Sequence, residues 1–221
     1  MPLYNEIQKL PELYQQLGQF SFEQVIWVDG GSSDGCKEWL EQNVDGKTNT
    51  FIVSEKGRAK QMNAGAAMSI TSHLLFLHAD TLLPTLAVAE INKGLRQSSW
   101  GRFDVTFIEK DWRMNIVAWF MNWRSRLSGV ATGDQALFVR QAEFQSVGGF
   151  PTIPLMEDVE FCKRMKQFDL PYCSRLLVST SARRWLNNGV IRTVMLMWLF
   201  RLAYFLGVNP EKLAKQYQNV R

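Results

Sequence analysis

The stretch Leu74-Leu-Phe-Leu-His-Ala-Asp-Thr-Leu-Leu-Pro84 is an apolar segment interrupted by polar side chains. Its apolar half predicts a buried strand, and His78 and Asp80 follow where that strand ends. Open α/β sheets bind ligands beyond the carboxyl ends of their strands, so an acid at this point is typical of a metal or ribose ligand. An aspartate after a single strand is also a common turn former, and one occurrence does not separate the two interpretations.

A second segment, Val25-Ile-Trp-Val-Asp29-Gly-Gly-Ser-Ser-Asp34-Gly35, has the same pattern of an apolar strand that ends in acid. Between the two strands lies a basic segment, Lys56-Gly-Arg-Ala-Lys-Gln-Met-Asn-Ala-Gly65. This combination favours a site for a phosphorylated, metal-bound ligand. The glycines and serines around Asp29 and Asp34 also suit a purely turn-forming role for both acids.

Composition limits the class of protein. The chain has 221 residues, of which 46% are hydrophobic and 21% are charged, as in a single globular α/β domain with a full core. The formal net charge of +4 is a mild excess that suits anionic ligands or a membrane surface and does not imply nucleic acid. The three cysteines form no C-x-x-C pair, so a reducing cytosol is the simplest compartment.

Neither a signal peptide nor a membrane span is expected. The start, Met1-Pro-Leu-Tyr-Asn-Glu, has no basic region and no apolar run. The most apolar stretch, residues 190–207, is interrupted by Arg192 and Arg201 and falls short of the roughly 18 to 20 uncharged residues that a span needs. We expect a cytoplasmic protein, free or at the inner face of the membrane.

Strand-like and helix-like patterns alternate along the first hundred residues. The periodicity predicts strands at 25–28, 50–53, 74–77, 101–108, 136–139 and 176–179, and helices at 5–18, 34–42, 56–69, 85–97, 112–127 and 157–168. Such βαβ alternation favours a mostly parallel central sheet flanked by helices. We expect one domain over residues 1–189 and a C-terminal helical tail over residues 190–221.

Five segments resemble, in order and approximate spacing, the motifs of inverting family 2 glycosyltransferases with the GT-A fold. They are Pro2-Leu-Tyr-Asn-Glu6, Val28-Asp-Gly-Gly-Ser-Ser-Asp-Gly35, His78-Ala-Asp80, Met156-Glu-Asp-Val-Glu160 and Arg183-Arg-Trp185. Phe76-Leu-His-Ala-Asp-Thr81, Gly133-Asp-Gln135 and Ser181-Ala-Arg-Arg-Trp185 are similar to a short bacterial branch, some members of which are associated with arsenosugar biosynthesis. The resemblance implies a Rossmann-like nucleotide-diphospho-sugar transferase fold.

The resemblance also implies an activity, which is inverting transfer of a sugar from a nucleotide-diphosphate sugar to a small or lipid-linked acceptor. Asp80 corresponds to the metal-binding acid of the family's D-x-D motif, and hard oxygen ligands suit Mg²⁺ or Mn²⁺. The first acid of that motif is replaced by His78. This histidine could hydrogen-bond ribose or phosphate, favour Mn²⁺, or serve only the turn.

Other site residues follow from the same resemblance. The donor and its nucleotide are expected to contact Asp29, Asp34, Arg58, Asn63, His78, Asp80 and Arg184. The acceptor is expected near Asp134, Gln135 and Trp185. Asp158 is the expected catalytic base and Glu157 its supporting acid, because inversion requires a group that takes the proton of the acceptor hydroxyl. These acids would also favour a helix N-terminus without any catalytic role.

Two departures from the family pattern affect these expectations. Family members have a strand before the Pro2-Leu-Tyr-Asn-Glu6 segment, and that first strand is apparently missing here. Ser181 replaces the glutamine of the Q-x-x-R-W motif of processive synthases, which argues against processive synthesis.

Alternatives to the transferase remain open at this stage. A nucleotidyltransferase would use similar acids at strand ends, and a non-catalytic scaffold could bind nucleotide sugars or associate with a membrane. The aromatic and cationic side chains of residues 190–207 suit peripheral membrane contact. They also suit a homodimer contact or packing against the domain.

Overall fold

The computed structural model describes the backbone of residues 1–220 and their side chains, except those of Arg184 and residues 217–220. The strands are β1 (Pro2–Leu3), β2 (Val25–Asp29), β3 (Asn49–Val53), β4 (His73–Phe76), β5 (Thr81–Leu82), β6 (Trp100–Phe107), β7 (Leu137–Arg140) and β8 (Tyr172–Thr180). The helices are α1 (Leu10–Leu17), α2 (Cys36–Asn43), α3 (Arg58–Met68), α4 (Ala87–Gln97), α5 (Trp112–Ser128), α6 (Gln141–Ser146), α7 (Glu157–Met165), α8 (Arg183–Asn188), α9 (Val190–Phe205) and α10 (Pro210–Val220). A short 3₁₀ turn spans Gly133–Gln135.

The expected parallel sheet is present in the first half of the chain. Strands β1, β2 and β3 lie side by side in that order, and both pairings are parallel. Helices α1 and α2 connect these strands, as in the right-handed crossovers that parallel neighbours require. The polar ends of the strands therefore meet at one edge.

A second sheet has the order β4-β7-β6-β8-β5 and is mixed. The pair β6–β8 is parallel, whereas β4–β7, β6–β7 and β5–β8 are antiparallel. Strand β4 alternates between two apolar clusters, because Leu74 and Phe76 pack into one and Leu75 and Leu77 into the other. Burial on both faces explains why this strand has no polar residue between Leu74 and Leu77.

The short strand β1 lies within the Pro2-Leu-Tyr-Asn-Glu6 segment and occupies the edge of β2, whereas the strand expected to be missing would precede that segment. Pro2 pairs with Val28 and Leu3 with Asp29. The buried amide of Gln61 joins these strands, since its Nε2 donates to the carbonyls of Leu3 (2.6 Å) and Val28 (2.9 Å). Two residues are thus enough to fix the following loop, including Asn5, against β2.

Helices on the C-terminal side of the predicted boundary at residue 189 pack against residues that precede it. Val190, at the start of α9, belongs to the same apolar cluster as Trp185 and the buried face of α5. Phe200 in α9 and Leu213 in α10 pack with Met156, which immediately precedes α7. The C-terminal helices are therefore part of the domain.

Candidate active site

His78 and Asp80 lie in the turn between β4 and β5. The amide of Thr81 donates to the carbonyl of His78 (3.1 Å), which closes the turn. The amide of Ser181, just after β8, donates to the carbonyl of Asp80 (3.1 Å). His78 and Asp80 thus follow the end of β4, as the sequence predicts, and Asp80 is also held beside the end of β8.

Asp134 joins His78 and Asp80 in one group. Each of the three residues offers a ligand atom, and these atoms all lie within 4.8 Å of one another. His78 Nδ1 is 3.8 Å from Asp134 Oδ1. The sequence assigned Asp134 to the acceptor, but the 3₁₀ turn brings it to the expected metal site.

These side chains fit a divalent cation. His78 is buried, and its Nε2 has no hydrogen-bond partner in the described part of the chain. The other ring nitrogen, Nδ1, faces Asp134, and a buried imidazole grouped with two carboxylates is a set of donors that a cation would complete. One nitrogen and two oxygens favour Mn²⁺ over the harder Mg²⁺.

Gly133 makes room for the imidazole of His78. A Cβ atom at Gly133 would lie 2.1 Å from His78 Cε1 and 2.5 Å from Nε2. The glycine therefore permits the close approach of the turn to the histidine, which sets the position of Asp134.

Glu157 and Asp158 begin α7 on the opposite wall. Met156, directly before them, has a left-handed backbone with φ 70°, which is uncommon for a side chain of this size. The amide of Gly133 donates to Asp158 Oδ2 (3.3 Å), so the same turn contacts both the metal group and the expected base.

Burial is the main cause that raises the pKa of Asp158 to about 6, and the charge of Glu157 adds to it. Arg58 opposes both effects. A carboxyl group whose pKa is close to neutral can accept a proton from a hydroxyl and still be ionised at working pH. The acid expected to act as base therefore has suitable electrostatics.

Arg58, at the start of α3, is one cation that faces these acids. Its Nη1 is 3.9 Å from Glu157 Oε1, and its side chain is about half exposed to the cleft. Burial acts to lower the pKa of Arg58, but the nearby carboxylates outweigh it and the pKa is raised. The acids responsible are Glu157, Asp134, Asp158 and Asp80.

A cleft of about 390 Å³ is lined by Arg58, Asp80, Asp134, Glu157 and Asp158. Its described charged lining consists of Glu6, Asp80, Asp134, Glu157 and Asp158, against Arg58, Arg183 and Arg201. Because acids outnumber arginines, an anionic diphosphate would be repelled unless a cation accompanied it. The net negative charge of the cleft and the group of His78, Asp80 and Asp134 thus both favour a bound divalent cation.

The loop after β2 holds Asp29 and Asp34 in turns. Asp29 is buried, and its carboxylate accepts from the amides of Gly31 (3.1 Å) and Ser32 (3.0 Å) and from the Ser32 hydroxyl. Asp34 accepts from the amides of Ile7 (2.9 Å) and Cys36 (3.2 Å). Partial burial acts to raise the pKa of Asp34, but these amides lower it. Both acids have the turn-forming role, and neither lines the cleft.

Two predicted site residues, Asn63 and Gln135, make hydrogen bonds within the fold. Asn63 donates to the carbonyl of Phe150 (2.7 Å) and accepts from its amide (2.9 Å), so it fastens α3 to the turn before α7. Gln135 is fully buried and donates to Ser125 Oγ (3.1 Å) in α5. Their polar atoms therefore satisfy groups of the fold, and the predicted donor and acceptor contacts stay predictions.

Trp185 and Arg183 of the partial motif line the cleft. Trp185 is mostly buried against Phe107, with ring centroids 6.1 Å apart. The predicted donor contact of Arg184 lies outside the described side chains.

Sequence reasoning missed two contributions to the cleft. Glu109 accepts from the hydroxyl of Ser181 (2.9 Å) and the amide of Ala182 (2.6 Å), which fixes the turn before Arg183. Helix α9 supplies Phe200 and Arg201 to one wall. No local signal reveals either one, because both depend on packing between segments far apart in the chain.

The sequence model of glycosyl transferase family 2 matches residues 1–140. This chain belongs to glycosyltransferase family 2. No curated protein matches the sequence.

Solved structures with the GT-A fold resemble this family 2 domain. A mannosyltransferase from Pyrobaculum calidifontis, PcManGT, in complex with GDP-Man and Mn²⁺, is 19% identical with a TM-score of 0.63, covering 82% of this chain and 55% of that one. S. aureus TarS 1-349 is 16% identical with a TM-score of 0.64, covering 82% and 59%. TarS 1-349 has also been solved with UDP-GlcNAc, where the TM-score is 0.61. Such identities show the fold alone, and the chain spans little more than half of these proteins.

Proposed function

We propose that this protein transfers a sugar, with inversion, from a nucleotide-diphosphate sugar to a hydroxyl of a small or lipid-linked acceptor. The observation that carries the proposal is a single cleft lined by Asp80 and Asp134, which form a group with His78, and by Asp158, whose pKa is raised to about 6. Family membership and the nucleotide sugars held by PcManGT and TarS support the same chemistry.

The proposed reaction divides the cleft into a donor side and a base side. Asp158 takes the proton of the acceptor hydroxyl. At the same time the hydroxyl oxygen of the acceptor bonds to the anomeric carbon of the sugar, and the bond between that carbon and the diphosphate breaks. Arg58 and Arg183 bind the departing nucleoside diphosphate by charge. Glu157 repels the charge on Asp158 and so keeps it basic.

His78, Asp80 and Asp134 are the residues that would hold Mn²⁺ or Mg²⁺. When bound, the cation would neutralise negative charge on the diphosphate. The net negative charge of the lining explains why arginines alone would not suffice for that role.

Thermal-shift screening of nucleotide sugars, with and without Mn²⁺, tests the donor side first. We expect one nucleotide sugar to raise the melting temperature only when Mn²⁺ is present. A triphosphate that alone stabilises the protein and releases pyrophosphate would instead support a nucleotidyltransferase. An acceptor panel that includes arsenosugar precursors tests the proposed relation to the short bacterial branch.

Substitutions of two aspartates should distinguish donor binding from the transfer step. Asp80→Asn should weaken Mn²⁺-dependent donor binding at least about tenfold, because an amide is a neutral and weaker ligand. Asp158→Asn should retain donor binding but lose transfer by a factor of about 10² or more, because an amide cannot accept the proton. Asp45→Asn, at an exposed loop, serves as the matched control. Normal turnover by Asp158→Asn would eliminate this base.

A further inference from the structure

One part of the cleft lining carries no negative charge. Residues 181–210 contain four arginines and neither aspartate nor glutamate. Two of these arginines, Arg183 in α8 and Arg201 in α9, line the cleft. The acids of the described lining all come from earlier in the chain, and they are Glu6, Asp80, Asp134, Glu157 and Asp158. Among the described residues, helices α8 and α9 therefore supply the cleft with cations and with no carboxylate.

Helix α9 turns one side toward the cleft. Thr193, Met197, Phe200 and Arg201 line it, and their spacing along the helix places them on the same side. We call these four residues the α9 wall. The hydroxyl of Thr193 donates to the carbonyl of Gly189 (2.9 Å), so its polar group is satisfied within the helix. The α9 wall thus combines an apolar surface with one cation.

The apolar surface continues to the expected base. Phe200 packs with Met156 in one apolar cluster, and Leu155 packs against that cluster. All three side chains also line the cleft. Because Met156 directly precedes Glu157 and Asp158 in the chain, this surface lies beside the carboxyl group that would take the proton.

Arg201 is a half-buried cation that the proposed reaction has not used. In the part of the chain that the structure describes, no carboxylate lies within ion-pair distance of Arg201. The acid that α9 does contact is Glu160, which accepts from Tyr204 (3.2 Å) and lies near Lys163 (3.6 Å) and Arg164 (3.8 Å). An arginine beside apolar groups binds an oxyanion strongly, because its planar fork can donate two parallel hydrogen bonds.

The hydroxyl of the acceptor must reach Asp158, so the rest of the acceptor lies against the surface beside that acid. We propose that the α9 wall binds the acceptor, which carries an apolar group and an anionic group such as a phosphate, and that Arg201 pairs with the anion. The inference rests on the proposed function for calling this ligand the acceptor. The preference of the α9 wall for an amphiphilic anion follows from its own side chains.

Four compounds with a free hydroxyl separate the two features of the ligand. Glycerol has neither feature, monohexanoylglycerol has only the apolar chain, glycerol 3-phosphate has only the anion, and monohexanoylglycerol 3-phosphate has both. Calorimetry of the full chain with Mn²⁺ measures each affinity. The compound with both features should bind at least about tenfold more tightly than either compound with one. Equal affinities for these three compounds, or complete competition by the same concentration of inorganic phosphate, would overturn the proposal.

Substitutions on α9 assign the two features to side chains. Arg201→Gln should weaken binding of monohexanoylglycerol 3-phosphate at least about tenfold and leave monohexanoylglycerol unaffected, because only the anion loses its partner. Met197→Ser should weaken binding of both compounds that carry the chain about threefold. Arg192→Gln and Met195→Ser are the matched controls, because both residues are exposed on the same helix and neither lines the cleft.

Melting temperatures close to that of the unmodified protein would show that the variants fold. Arg201→Lys should recover part of the lost affinity, since it keeps the charge without the fork. If folded Arg201→Gln binds monohexanoylglycerol 3-phosphate as the unmodified protein does, the α9 wall does not select an anion. Donor-induced thermal shifts should be the same in Arg201→Gln and the unmodified protein. The absence of any such shift would count against the proposed function, whereas the calorimetry tests the α9 wall without a donor.

Discussion

At the scale of single residues, the cleft holds Asp158 in an environment that opposes its charge. The carboxyl group is largely buried beside Glu157, and the opposing charge of Arg58 is half exposed. Ionisable groups with raised or lowered pKa values often mark functional sites, because catalysis needs a group that changes protonation near working pH. Here Glu157 raises the pKa of Asp158, whereas Arg58 lowers it.

This arrangement predicts how kcat/KM depends on pH. The rate should rise as pH increases through about 6, the pKa of Asp158, because only the ionised form is a base. Glu157→Gln should move this limb to lower pH, since a repelling negative charge is removed. Arg58→Met should move it to higher pH, since an attracting positive charge is removed. Measured pH–rate profiles of the three proteins check both directions. A limb that stays fixed in Glu157→Gln and Arg58→Met would show that another group titrates.

The close contact between Gly133 and His78 leads to a second prediction. Alanine at this position should displace the imidazole of His78, because its Cβ would lie 2.1 Å from the ring. We expect at least about tenfold weaker binding of Mn²⁺ by calorimetry, since one donor of the group moves away. Gly18→Ala is the matched control, because its Cβ would meet only ordinary contacts at 3.5 Å. Unchanged Mn²⁺ affinity in Gly133→Ala would remove His78 from the metal group.

At the scale of elements, the sequence predicts most helices and strands. Apolar spacing correctly locates α5, predicted at 112–127 and found at Trp112–Ser128. The short elements β5, α6 and α8 are missed, because two to six residues carry too little periodicity. The pairing of β4 with β7 is also not visible, since it joins residues more than sixty positions apart.

The role of a polar site residue is harder to predict from the sequence than the position of a helix or strand, for a physical reason. A polar residue at a motif position can bind a ligand or satisfy backbone groups, and the sequence pattern is the same. Asn63 and Gln135 turned out to satisfy the core, whereas Asp134 lies beside His78. Only tertiary packing decides between these roles, because it determines which backbone groups are left without partners.

The contact between α3 and the turn before α7 makes this distinction testable. Asn63→Ala should lower the free energy of unfolding by about 2–3 kcal/mol, because the amide and carbonyl of Phe150 lose their partners. Donor affinity of the folded protein should stay within about threefold, since Asn63 does not line the cleft. Urea denaturation and calorimetry measure the two quantities. An unchanged free energy of unfolding together with strongly weakened donor binding would support the donor contact that the family resemblance implies for Asn63.

At the scale of the whole molecule, the cleft depends on segments that the sequence separates widely. Its walls come from the β4–β5 turn, the 3₁₀ turn, the start of α7 and the face of α9. From the sequence alone, the C-terminal tail resembles an isolated amphipathic helix, because no local pattern shows which residues it packs against. In the structure it packs against the residue before Glu157, and Tyr204 donates to Glu160 Oε2 (3.2 Å) in α7. No helix in the described part of the chain is long and apolar enough to cross a membrane.

The packing of the C-terminal helices gives a final prediction. Leu213 in α10 is 2% exposed and lies in the cluster with Phe200 and Met156. Leu213→Ala should cost about 2–5 kcal/mol of stability. Because Met156 is in contact with that cluster and directly precedes Glu157 and Asp158, the substitution should also weaken transfer more than donor binding. Lys212→Ala, at the exposed neighbouring position, is the control. Calorimetry should give one cooperative transition at a lower temperature. A separate early transition, with the main one unchanged, would mean that α9 and α10 fold independently of the catalytic domain and that the boundary at residue 189 is real.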